Sequence, residues 1–158
     1  MISVLLLLTV TALYAGYNLL IKVAGSHVPS EVTTTVLATI CLQLAALGTS
    51  GLFAAMLLLR GGHVMQLPPT VVLWAAAAGV CIGGAEIAYF YLFSGIGSAK
   101  PMAASLAVPV IVSGTIVITM FVAFLIFKEP LSWRHLLGSA CIVFGILILF
   151  FRNGTPVS

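Results

Sequence analysis

The chain has 158 residues, of which 62% are hydrophobic, with six Lys or Arg, three Asp or Glu and a formal charge of +3. A water-soluble domain of this size cannot hide that much apolar surface, so the composition specifies an integral membrane protein. The few cations are scattered and form no basic stripe, which excludes nucleic acid as a partner.

Crossing a hydrocarbon core of roughly 30 Å takes about 20 predominantly apolar residues, and in lipid each crossing must close its own backbone hydrogen bonds as a helix. Five segments meet that length, at 2–24, 31–59, 70–94, 100–127 and 132–151. They predict an all-α, polytopic membrane protein made of one five-helix transmembrane domain over residues 1–158. The first run has no Lys or Arg ahead of it and continues to Ala24, too far for a signal-peptide core, so it is expected to stay as a helix. Gly25 to Pro29 ends it, and Ser30 is placed to cap the second helix with Glu31 at that helix's positive end.

The first helix carries Thr11, Tyr14, Asn18 and Lys22 three or four residues apart, hence along one face. Lipid offers those groups no partners, so the face must look at protein or water. Lys22 either snorkels to the interface or offers its ammonium to a guest anion or to Glu86. In the second helix Thr35, Thr39 and Gln43 repeat the spacing, and Gln43 serves either an interhelical hydrogen bond or a ligand. A bend is expected at Gly48-Thr49-Ser50-Gly51.

The third helix holds the one carboxylate at membrane depth, Glu86, in the run Gly83-Gly84-Ala85-Glu86-Ile87-Ala88-Tyr89. An ionised carboxyl at a helix centre costs about 2.5–3.5 kcal/mol on insertion scales, so it calls for a partner or a use. Tyr89, Phe90 and Phe93 follow it, and rings beside an acid suit an organic or cationic guest. For Tyr91 and Phe93 the expected role is instead an interfacial aromatic belt near the end of the helix. Ala75, Gly79 and Gly83 offer a groove for close helix approach. A carboxyl that gains and loses a proton here can couple transport to a proton gradient; the competing reading is a structural hydrogen bond or a Glu86–Lys22 pair.

Gly95 to Ala99 is so short a link that helices three and four are expected to be antiparallel neighbours. Helix four places Pro101, Ser105, Pro109 and Ser113 at spacing four. Pro109 removes one backbone hydrogen bond and is expected to bend the helix or open a carbonyl, while Ser105 and Ser113 either line a cavity or bond their own backbone. In helix five, Gly138 and Gly145 form a small seam suited to helix packing.

With the amino-terminal side as side A, its cations are Arg60, Lys128 and Arg134, and side B has Lys22, Lys100 and Arg152. Orientation follows the Lys/Arg excess, so a three-to-three balance allows the chain to insert both ways round, unless the first helix alone decides. No zincin, nucleophile-elbow or phosphate-loop motif occurs, the three cysteines sit far apart in apolar runs, and no histidine spacing suits a metal. An enzyme is not expected, nor a metal, nor a cofactor beyond a proton gradient.

The Ser94 to Lys100 link, Val108-Pro109-Val110, the Phe127-Lys128-Glu129-Pro130-Leu131-Ser132 turn, Gly138 to Gly145, and Asn18-Leu19-Leu20-Ile21-Lys22 together resemble an EamA domain, the repeat unit of the drug/metabolite transporter superfamily. Members are commonly ten-helix exporters or carriers built from two such repeats in opposite orientation. The resemblance implies that this single repeat assembles with a second, inverted copy, as in the smaller four-helix multidrug exporters it distantly resembles, and that the Gly138–Gly145 seam joins the copies. Glu86 has no counterpart in those exporters, whose acid lies in the first helix.

The expectation is therefore a small-molecule transporter of the plasma (inner) membrane, working by alternating access as an antiparallel homodimer. Its guest would meet Glu86, Lys22, Asn18, Tyr14, Gln43, Tyr89, Ser105 and Ser113, with Pro109 as the bending point. A heteromer with an oppositely oriented paralogue and a non-transporting membrane scaffold are the alternatives.

Overall fold

The computed structural model describes residues 2–29, 31–61, 66–95 and 99–152, with side chains as far as Ile148. Five helices run through them: α1 (Ile2–His27), α2 (Val32–Arg60), α3 (Pro69–Ser94), α4 (Ala104–Leu125) and α5 (Trp133–Arg152). No strand occurs among the described residues. The first four are long and apolar enough to cross a bilayer, whereas the described apolar stretch of α5, Trp133–Ile148, is shorter.

Burial is distributed as a bilayer requires. Leu5, Leu13, Leu20, Leu47, Val80 and Ile118 all face outward, while the buried residues described, apart from Gly25 and Gly95, are six polar ones, Thr35, Thr39, Glu86, Ser94, Ser113 and Ser139, against four apolar ones. In water that arrangement would be unstable. In lipid it is the favourable one, because apolar side chains lose nothing by facing hydrocarbon and polar groups must find partners inside.

The chain falls into two compact units, Met1–Pro101 and Met102–Ser158, which are described in turn. In the first, α3 packs against both α1 and α2. Its contacts with α1 join Tyr17 to Glu86 and Asn18 to Tyr89, at sequence separations of 69 and 71 residues. A nearly constant separation means that α1 and α3 run parallel. Against α2 the pairing reverses, with the Tyr91 hydroxyl donating to the Val32 carbonyl at 3.1 Å and Gln43 lying beside Gly83, so α2 runs antiparallel to α3.

The close approach of helices occurs at Gly25, where an added Cβ would stand 2.9 Å from the Cβ of Phe93. The small-residue stripe of α3 is used differently: Gly79 has open space beside it, and Gly83 admits the amide of Gln43, 3.3 Å from where a Cβ would stand. The expected bend in α2 is absent as a break in the helix. The segment through Gly48–Gly51 is continuous, with the Thr49 and Ser50 hydroxyls donating to the carbonyls of Ala45 and Ala46. Glu31 occupies the N-cap of α2 without a side-chain cap hydrogen bond, and Ser30 lies outside the described residues. Gly95 ends α3 with φ 83°, and a Cβ there would lie 2.7 Å from the Ala99 carbonyl oxygen, so only glycine fits this turn.

In the second unit, α4 begins at Ala104 rather than at Lys100. Pro101 disfavours helical geometry at the residue before it, and Ala103 is still extended. Pro109 sits inside α4 and cannot donate to the Ser105 carbonyl. One turn on, the Ser113 hydroxyl donates to the carbonyls of Pro109 and Val110. The α4–α5 turn puts Lys128 at φ 53° and closes with the Glu129 amide on the Ala123 carbonyl at 3.1 Å. Ser132 then receives the Arg134 amide on its hydroxyl and the His135 amide on its carbonyl, which caps the start of α5. Across the unit, the Ser139 hydroxyl meets Met120 Sδ at 3.2 Å.

Candidate functional site

The polar groups of the first unit converge where α1 and α3 run side by side. Glu86 is only 7% exposed, and about 12 Å of helix rise separates it from the end of α3 at Ser94. Its carboxylate oxygen Oε2 accepts a hydrogen bond from the Tyr17 hydroxyl. A hydrogen bond to a charged group contributes about 1.5–3 kcal/mol net. That is comparable with the insertion cost of the carboxylate, so Tyr17 can hold Glu86 at this depth.

Neighbouring rungs extend the site along both helices. The Tyr89 hydroxyl donates to Asn18 Oδ1 at 2.7 Å. The Tyr17 and Tyr89 rings stack at 6.3 Å, Tyr14 meets Tyr17 edge-on at 6.3 Å, and Phe93 follows Tyr89 at 4.8 Å. These spacings fall in the range of favourable aromatic pairing. Lys22 holds its ammonium 5.3 Å from the centre of the Phe93 ring, within cation–π reach. The result is a ladder of four rings with an acid beside its middle and a lysine over its end.

Of the residues singled out from the sequence, Glu86, Asn18, Tyr89 and Lys22 join this cluster. Tyr14 stands at its edge, 62% exposed. Gln43 touches α3 one turn away, at Gly83. The hydroxyls of Thr35 and Thr39 are turned back onto the carbonyls of Glu31 and Thr35, and Thr11 likewise bonds Leu7. Phe93 is no belt residue: it is fully buried, against Gly25 and beneath Lys22. Tyr91 anchors the start of α2. Ser105, Pro109 and Ser113 belong to the second unit, where Ser113 is buried and bonded to its own helix. Gly138 and Gly145 both have open space where a side chain would stand.

The residue that sequence reasoning passed over is Tyr17. Its signal was present, since Tyr14, Tyr17, Asn18, Ile21, Lys22 and Gly25 follow the three-and-four spacing of one helix face. Without a partner across the interface, it reads as one more aromatic in an apolar helix.

Among the described residues no cluster of His, Cys, Asp or Glu could hold a metal ion. A family model for the EamA-like transporter family matches residues 1–151. The chain belongs to that family. The five helices described above lie within that match, save the last residue of α5, and membership makes this a multi-pass membrane protein of a transporter family. Neither a comparison with curated proteins nor one with solved structures yields a match.

Proposed function

We propose that this EamA-like protein carries a small molecule across the plasma (inner) membrane by alternating access, as two copies in opposite orientation, with Glu86 as the proton-exchanging group. The observation that supports the reading is the buried Glu86 carboxylate held by Tyr17 inside a membrane-spanning helix pair. Carboxyls at that depth recur on substrate and proton pathways. A hydrogen-bonded hydroxyl gives the acid a second arrangement to exchange with when a guest or a proton arrives. The titratable and charged groups linked to it through the ring cluster are Tyr17, Tyr14 and Lys22 from α1 and Tyr89 on its own helix, while α2, also packed against α3, carries Cys41 and Arg60.

Two copies are favoured by the balanced cations, Arg60, Lys128 and Arg134 against Lys22, Lys100 and Arg152. Inverted halves are how many carriers build a shared midplane site. The open space beside Gly138 and Gly145 is compatible with a second α5 packing there.

The test is proton movement in proteoliposomes loaded with a pH-sensitive dye. Amines, amino acids and nucleosides are added outside across a pH gradient. At least one solute class is expected to quicken proton movement with the wild type and not with Glu86→Gln, which should still elute as a dimer. Equal proton movement in both proteins removes Glu86 from the mechanism.

A further inference from the structure

Glu86 and its partners lie in the first unit, and the second unit has a cavity of its own. It is a groove of about 610 Å³ between α4 and α5, within the size range of ligand clefts. Glu129, Arg134 and His135 line it where the α4–α5 turn enters α5, and Ile116 and Ile142 line it farther from the turn. We propose that this groove holds a membrane phospholipid whose headgroup carries both a phosphate and a primary amine, as phosphatidylethanolamine does, with an acyl chain lying along α4 and α5.

The turn fixes the three polar side chains that set the headgroup chemistry. Lys128 in its left-handed conformation and the Glu129 amide on the Ala123 carbonyl close the turn, which brings Glu129 to the groove. Ser132 holds the Arg134 amide on its hydroxyl, and its own amide donates to His135 Nδ1 at 3.4 Å. With Nδ1 accepting, the ring proton is on Nε2, a further donor. The Arg134 guanidinium suits a phosphate, to which it can offer paired N–H groups, and the Glu129 carboxylate suits a primary ammonium. A headgroup with a phosphate and no amine sets its charge against Glu129, and a trimethylated amine has no N–H to donate. The depth of the groove fits a lipid as well. Trp133, beside Arg134 and 74% exposed, is the residue type that sits at headgroup level. Ile142 is eight residues beyond Arg134, about 12 Å along the helix, so the groove runs from a charged mouth toward hydrocarbon. Cationic pockets between membrane helices are where lipid headgroups are bound. Gly138 lines the groove and Gly145 does not, which leaves the Gly145 end of α5 for a second copy.

This lipid is held and not carried, so the proposal is independent of transport through Glu86. Full-length protein, purified in a detergent that strips lipid, is titrated with dioleoyl phosphatidylethanolamine, phosphatidylcholine and phosphatidylglycerol and followed by native mass spectrometry. The ethanolamine lipid is expected to bind once per copy and at least about tenfold more tightly than the other two, which lack the N–H donors to Glu129. Glu129→Gln should narrow that preference, Arg134→Gln should weaken all three lipids, and Gly138→Leu should fill the groove and abolish binding. Equal binding of the three lipids by the wild type overturns the proposal whether or not any variant folds, and so does tighter binding of phosphatidylglycerol. Displacement of the lipid by glycerophosphoethanolamine at similar concentration would make the groove a site for a soluble phosphate and overturn it. Lipid found on monomers and absent from dimers would give the groove to a second copy, with the same result.

Discussion

The contact between Gly25 and Phe93 sets how closely α1 and α3 approach, and it can be tested against a control on the same helix. In Gly25→Ala the new Cβ would stand 2.9 Å from Phe93 Cβ, well inside the roughly 3.5–4.0 Å optimum for carbon pairs. Phe93 Cβ is fixed to its backbone and the side chain is fully buried, so relief requires the helices to part. Overpacking of this kind costs about 1–3 kcal/mol. Replacing helical Gly by Ala returns up to about 1 kcal/mol through propensity. Gly16 lies two and a half turns earlier on α1 with nothing within 4 Å of its added Cβ, so Gly16→Ala collects the propensity without the clash. The two variants should therefore differ by about 1–3 kcal/mol, Gly16→Ala being the more stable. Gly25→Leu should lose more than Gly25→Ala. Unfolding by SDS in mixed micelles, followed by circular dichroism, measures the difference. Equal stabilities for Gly16→Ala and Gly25→Ala would refute the close approach and the parallel α1–α3 register built on it.

Other consequences are as direct. Tyr89→Phe removes the donor to Asn18 Oδ1 and should cost about 0.5–1.5 kcal/mol in the same micelle assay, with little further loss when combined with Asn18→Ala; independent, additive losses would mean the pair is not coupled. Lys128 holds a left-handed φ of 53°, so Lys128→Gly should stabilise the α4–α5 turn by roughly 1 kcal/mol. The same substitution leaves two cations on side A against three on side B. If the balance governs insertion, a reporter fused after Ser158 shifts from both faces toward the cytoplasmic one; an unchanged distribution means that the first helix decides orientation.

The membrane class, the five helices and the prominence of Glu86 were legible in the amino-acid order. The first two follow from the length of apolar runs, which lipid forces into helices, and the third from a single carboxylate set in one of them. The polar face of α1 was legible too, because helical periodicity is local: Tyr14, Asn18 and Lys22 lie on one stripe whatever the stripe meets. Helix ends were less so, since Pro101 delays α4 to Ala104 by a constraint spread over several residues.

Tertiary structure decided what Glu86 and its neighbours touch. That Tyr17 donates to Glu86, that Tyr89 donates to Asn18 and that Phe93 is buried beneath Lys22 rather than spread along an interface all follow from α1 lying parallel to α3 at one register. In lipid that register is chosen by close packing at a small residue and by hydrogen bonds between helices, here Gly25 and the two tyrosine hydroxyls. Both are relations between distant parts of the chain. Sequence periodicity could mark the stripe on α1 and the acid on α3, but only their packing could join them.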